Sequence, residues 1–134
     1  KAADAYNRYK KAVKPHWQKV IALEINFRNA GLISDKAQRL AHLGRCAKEA
    51  KALYMAIATI PVDTKAVEAF QVLHTTMVEN MEDTIRDYTA AYQKGDSSAM
   101  LKVLERLERN KRRILKKYKE LVAKYKKEHK LYDG

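Results

Sequence analysis

The sequence predicts an all-α protein: an antiparallel up-down four-helix bundle with long third and fourth helices, in one domain over residues 1–134. Three observations carry this expectation. Ala, Leu, Lys, Glu and Arg dominate the chain, and these residues lose little on entering a helix. Four Gly and two Pro in 134 residues are too few to turn the strands of a sheet protein. Those breakers gather with capping residues at three points, and between them apolar residues recur at the 3/4 spacing of a helix face. A chain of this length encloses a core without disulfide or metal staples.

The first helix is expected near 4–30. Tyr6, Tyr9, Val13, His16, Val20, Leu23, Phe27 and Ala30 keep one register through Pro15, which either kinks a single helix or opens a second piece. "NAGLISD" ends it: Gly31 suits a left-handed stop, and Ser34 or Asp35 can cap the second helix. In that helix, near 35–58, Ala37, Ala41, Gly44, Ala47 and Ala50 make a small face beside Leu40, Leu43, Leu53, Tyr54 and Ile57. A helical Gly costs about 1 kcal/mol relative to Ala, so Gly44 is expected where another helix comes close.

In "ATIPVDT" Pro61 interrupts, and Asp63 or Thr64 can cap the third helix, near 63–94. Its stripe is Val67, Phe70, His74, Met77, Met81, Tyr88 and Ala91, flanked by Val78, Ile85 and Tyr92. "QKGDSS" supplies a Gly95 stop with Asp96 and Ser97 as caps. The fourth helix, near 97–130, carries Leu104, Leu107, Ile114, Tyr118, Leu121 and Tyr125, widened by Leu101, Leu115 and Val122. Short loops make successive helices antiparallel. Folding about Gly95 then sets His74 by Tyr118, Met77 by Ile114, Phe70 by Leu121 and Tyr88 by Leu104. It also sets Lys111 near Met81, with Glu79 and Glu82 as acidic neighbours.

The formal charge of +12 is uneven: +5 over residues 1–30, −1 over 31–96 and +8 over 97–134. "RNKRRILKKYKELVAKYKKEHK", Arg109 to Lys130, holds eleven Lys or Arg against two Glu. Its cations fall off the apolar stripe, as a solvated face requires. Glu105–Arg109, Glu108–Arg112 and Glu120–Lys124 are i,i+4 pairs in the favoured order. Solvation accounts for the placement but not for the excess, because like charges on one helix repel. Arg109, Arg112, Arg113, Lys116, Lys117, Lys119, Lys124, Lys126 and Lys127 are therefore the expected surface for an anionic partner. Arg8, Lys10, Lys11, Lys14 and Lys19 of the first helix join them if helices one and four are neighbours.

Tyr118, Tyr125 and Tyr132 interleave with these cations seven residues apart, a spacing that places them in the buried seam rather than against bases. No helix-turn-helix, zinc-finger or RNA-reading aromatic motif is present, so a nucleic-acid partner rests on charge alone. No run approaches 18 apolar residues, so nothing in the sequence spans a bilayer. The chain opens on "KAADAY", without an initiating Met, signal or lipidation motif; a mature product or a trimmed piece of a longer chain is expected.

Catalytic signatures are lacking: no Gly-flanked Ser, phosphate loop or glycine-rich nucleotide motif occurs, and "EDTIRD" (Glu82–Asp87) reads as a solvated acidic face. Among His16, His42, His74 and His129 there is no HExxH and no Glu-x-x-His pair. His42 and Cys46 stand i,i+4, a two-ligand match that chance supplies easily, and are read as structural. His16 and His74 are expected as hydrogen-bonded core residues, His74 with Tyr118. Met55, Met77, Met81 and Met100 read as core filler. A lone Cys forms no intrachain disulfide. The reading is non-enzymatic, without cofactor or metal.

The stretches "IPVDTKAVEAFQVLHTTM", "YQKGDSSAMLKVLERL" and "YKELVAKYKKEH" bear one further likeness. Through Pro61, Leu73, His74, Gly95 and Asp96, the second half resembles long helical hairpins of exported or lipid-anchored bacterial envelope proteins of poorly characterised function. The resemblance implies an extracytoplasmic helical bundle at a cell envelope or secreted, and transfers no active residues. A binding or structural module of the envelope is thus expected, contacting an anionic surface or a protein partner through its basic terminal helices. Its alternatives are a nucleic-acid-binding module and an extracytoplasmic ligand-sensing bundle of a receptor.

Overall fold

The computed structural model describes residues 2–130. Four helices follow one another: α1 (Ala2–Asn29), α2 (Lys36–Ala58), α3 (Lys65–Lys94) and α4 (Ser97–Glu128), with a 3₁₀ turn at Ala30–Leu32 after α1. No strand occurs among the described residues. Tyr132, expected in the seam, lies outside them.

Each helix begins and ends for a local reason. Asp35 accepts from the Gln38 amide at 2.8 Å, Thr64 from Val67 at 3.2 Å, and Asp96 from Ala99 at 3.0 Å. Each cap thereby satisfies one of the amides that a helix start leaves without a partner. Asp63, the other candidate cap, instead pairs with Arg8 of α1. At the α3 end Gly95 takes φ 68°, with its amide on the Tyr92 carbonyl and the Asp96 amide on Ala91, both at 3.0 Å. This is the Schellman arrangement, and the left-handed conformation is why Gly stands there. Gly31 does not share it: Gly95 is the one described glycine with positive φ. The 3₁₀ turn receives the end of α1 by an Ile33 to Ala30 bond of 3.1 Å, without a left-handed residue. Pro15 lies inside one continuous α1 at an exposed position, and leaves the Lys11 carbonyl without its helical donor.

The core is built from Tyr9, Val13, Val20, Leu23 and Phe27 of α1 against ten buried residues of α3, Phe70, Met81 and Ile85 among them. Burying a side chain such as Leu23 or Ile57 contributes about 1.5–3 kcal/mol. In α2 the buried row is Leu43, Cys46, Ala50, Leu53 and Ile57. The small face expected around Gly44 is therefore corrected: Ala37, Ala41 and Gly44 are exposed, and a Cβ added at Gly44 would meet nothing within 4 Å. Of the expected face Ala50 is fully buried and Ala47 packs against the core, while Leu43, Leu53 and Ile57 supply most of the buried apolar area. Met55, expected as core filler, is also exposed.

In α4 only Leu107, Ile114 and Tyr125 are buried, while Tyr118, Leu121 and Val122 are half-buried. Leu101 and Leu115, expected to widen its buried stripe, face solvent. The cause is the helix arrangement. α2 packs on α3 and α3 on α4, and α1 packs on α2 and diagonally on α3. Among the described residues, however, no Cα of α1 comes within 8 Å of one in α4. The four helices form an antiparallel bundle with one open seam.

Candidate functional site

The open seam is closed at its two ends by side chains. At one end Tyr6 of α1 meets Tyr125 of α4 with ring centroids 5.1 Å apart. Phe70 of α3 lies under both, 4.9 Å from Tyr6 and 5.6 Å from Tyr125. At the other end Glu24 of α1 takes Lys111 of α4 at 2.9 Å and Arg28 at 3.1 Å. Glu108 completes the network with Arg28 and, at 3.5 Å, with Lys111. Between the aromatic end and the ionic end runs a cleft of about 750 Å³.

The cleft is apolar where it is deep and cationic where it is shallow. Val13, Trp17 and Val20 of α1 form one wall, Ile114 and Tyr118 of α4 the other, and Leu73, His74 and Met77 of α3 the floor. Ile21, Ile25 and Leu115 stand at the mouth, 55%, 56% and 53% exposed. Lys10 and Lys14 flank it on α1 and Arg112 on α4. Trp17 presents an edge to His74 at 4.7 Å between centroids.

His74 is held by α1, not by α4. Its Nδ1 lies 2.6 Å from the Tyr9 hydroxyl, and the phenol donates in the Nε2–H tautomer. The expected Tyr118 partner contributes a ring contact at 5.6 Å instead. Burial pushes the His74 pKa down to about 4, partly opposed by the Phe70 carbonyl, so the imidazole is neutral at physiological pH. Burial likewise raises the phenols of Tyr9 and Tyr6, the latter further through Tyr118. The cleft interior thus carries no charge, and its ionic chemistry is confined to the rim.

Of the cations expected to form an anionic-partner surface, Arg109, Arg112, Arg113, Lys116, Lys117, Lys119, Lys124 and Lys127 are exposed and Lys126 is half-buried. Arg112 is the one that reaches the cleft, where it joins Lys10 and Lys14; the others do not line it. Several pairings differ from expectation. Lys111 turns toward α1 and Glu24, away from Glu79 and Glu82 on α3, because the unfilled side of α4 is the one facing α1. Glu108 is drawn to Arg28 and Lys111, not to Arg112. Lys124 pairs with Glu128 at 3.8 Å in place of Glu120. Arg109 makes no ion pair with Glu105, and Arg113 bonds Asn110 at 2.9 Å. Arg8 is committed to Asp63.

The other titratable candidates are structural in position. His42 Nε2 lies 2.6 Å from the Asn26 carbonyl, joining α2 to the end of α1. Cys46 is buried, which pushes its thiol pKa up. His16, expected in the core, is only half-buried because the interior takes its neighbour Trp17 on the cleft side. His129 is exposed and packs against Tyr125 with ring centroids 4.4 Å apart and planes tilted by 47°. No group of three or more His, Cys, Asp or Glu among the described residues is placed to hold a metal ion.

Trp17 and Glu24 are the site residues that sequence reasoning missed; Tyr9 is expected on the buried stripe of α1, but not as the partner of His74. Trp17 stands four after Val13 and three before Val20, a helix-face spacing that His16 shares on the adjacent edge. Glu24 is one of two acids in the first thirty residues, a rarity that marks it in a +5 segment. Compared with known proteins, the chain matches no family model, no curated protein and no solved structure.

Proposed function

We propose that the protein is a non-enzymatic binding module of a bacterial cell envelope that engages an anionic surface through its basic terminal helices. One observation carries the binding reading. Arg109, Arg112, Lys116, Lys117, Lys119 and Lys127 are exposed and make no ion pair among the described residues. Each cation alone is well solvated, but gathered on one helix they repel, and a polyanion relieves that repulsion as it releases counterions. The envelope placement rests on the resemblance of the second half's sequence, around Pro61, Leu73, His74, Gly95 and Asp96, to exported helical hairpins. Among the described residues no helix is long and apolar enough to cross a membrane. Contact is therefore electrostatic and peripheral, with acidic lipid headgroups or anionic wall polymer as the surface.

The test is co-sedimentation with vesicles containing phosphatidylglycerol, against vesicles of phosphatidylcholine alone. Retention is expected at about 50 mM salt and is lost by about 300 mM as the screening length shortens. Reversing Arg112, Arg113, Lys116 and Lys117 to Glu should abolish it while the helical circular dichroism and melting transition persist. Retention unaffected by the four reversals refutes the reading. Tighter, salt-sensitive binding to duplex or single-stranded DNA than to the vesicles replaces the surface with nucleic acid.

A further inference from the structure

The cleft between α1 and α4 is not needed for the electrostatic surface and calls for its own occupant. Its α1 wall, Lys10 to Ile25, is about 22 Å long and its α4 wall, Glu108 to Tyr118, about 15 Å at 1.5 Å per residue. That length matches three to four turns of helix, about ten to fifteen residues. Both walls are helices, and the volume of about 750 Å³ leaves a trough open along its length. Ile21, Ile25 and Leu115, all more than half exposed, form an apolar lip that water covers unfavourably.

We infer that this trough docks an amphipathic helix of a partner protein, with its apolar stripe on Trp17, Ile21 and Leu115 and acidic flanks against Lys10, Lys14 and Arg112. The charges select this occupant. Lys10 and Lys14 lie on one wall and Arg112 on the other, none with an acidic partner among the described residues, since the lining's two acids, Glu24 and Glu108, are taken by Arg28 and Lys111. A fatty acid places one negative charge at one end and leaves the opposite wall unanswered. Acidic residues on both sides of a helical stripe answer both walls. A second copy of the chain would bring another +12 to a cationic rim. Helix-in-groove recognition reads anchors at i, i+3, i+4 and i+7, and the trough floor of Leu73, His74 and Met77 offers such anchors a mostly apolar seat.

Trp17 is the single tryptophan, so its emission reports the trough directly. The probe is a synthetic helical peptide of about fifteen residues with Leu at i, i+3, i+4 and i+7 and Glu on both flanks, titrated at about 50 mM salt. A saturable blue shift with a micromolar midpoint is expected. Ile21→Glu with Leu115→Glu should weaken binding by about tenfold or more, and Lys10→Glu with Lys14→Glu several-fold. Arg109→Glu with Lys116→Glu, on the side of α4 opposite its apolar stripe, should change it by less than about twofold. Ile21 and Leu115 are exposed, so the fold survives their substitution, which a melting curve verifies.

The proposal falls if the probe gives no saturable shift, if a stripe-scrambled peptide binds equally, or if the Ile21 and Leu115 substitutions leave the midpoint unmoved. Saturable binding of dodecanoate where the peptide fails also overturns it, assigning the trough to a small amphiphile. The trough is separable from the α4 surface: the Ile21→Glu, Leu115→Glu variant should keep its vesicle retention at low salt.

Discussion

Lowering the pH from 7 to 4 should remove about 3 kcal/mol of stability through His74 alone, and the structure supplies the magnitude. The imidazole is 8% exposed, enclosed by Tyr9 and Trp17 of α1, Phe70 on its own helix and Tyr118 of α4. Burial pushes its pKa from the usual 6.5 to about 4, with the Phe70 carbonyl opposing in part. Between those values the unfolded chain binds the proton and the folded chain does not. Stability is therefore intact above about 6.5, falls as the pH drops, and this contribution is fully lost by about 4. At roughly 1.4 kcal/mol per pH unit the interval is worth about 3 kcal/mol, a large share of the roughly 5–15 kcal/mol typical of a domain. The assay is urea unfolding from pH 7 to 4 on the native chain and on His74→Gln, which keeps a hydrogen-bonding group near Tyr9 but does not titrate. Carboxylates titrate in both proteins, so His74 is read from the difference between the curves. Parallel curves across the interval, or an NMR titration placing His74 above pH 6, would refute the reasoning.

Two further outcomes concern residues the packing leaves unsupported. Gly44 sits mid-helix and exposed, with no neighbouring atom within 4 Å of where an alanine methyl would stand, so Gly44→Ala should stabilise by about 1 kcal/mol in urea unfolding. A loss would show that another helix does need that position. Thr84 is fully buried and its hydroxyl has no hydrogen-bond partner among the described residues. Thr84→Val keeps the shape, removes the stranded oxygen and should gain about 1 kcal/mol, read as a raised urea midpoint at unchanged slope; a destabilised variant would reveal a partner for the hydroxyl.

What was legible in the sequence was local. Asp35, Asp96 and Gly95 declare their caps and stop because backbone amides and a positive φ demand particular side chains. The α3–α4 register was readable too, since a tight turn at Gly95 sets which residues face one another: His74 does meet the Tyr118 ring, and Phe70 lies between Tyr118 and Tyr125. The cleft was not readable, because it arises from two helices that are far apart in the chain and whose backbones stay apart. Lys111 finds Glu24 across 87 residues, a partnership that no folding about Gly95 predicts. Leu115 looked like core for the same reason: periodicity marks an apolar stripe but not whether a neighbour arrives to cover its edge.

The charge distribution accounts for where the seam closes and where it stays open. α1 and α4 belong to the two basic segments, +5 and +8, so bringing them together opposes like charges. They are joined where an acid from each, Glu24 and Glu108, neutralises Arg28 and Lys111. They are joined again where the Tyr6 and Tyr125 rings meet, with the Lys10 ammonium 5.2 Å from the centre of the Tyr6 ring. Between these points Lys10, Lys14 and Arg112 flank the cleft, whose two lining acids, Glu24 and Glu108, are already held by Arg28 and Lys111, and there the helices stand apart over Met77 and His74. An ordinary bundle would place Glu opposite one of those lysines and close the gap. The unanswered positive charge of Lys10, Lys14 and Arg112 is thus the chemical reason that an acidic helix suits the cleft: the partner would supply on its flanks the acids that these three lack.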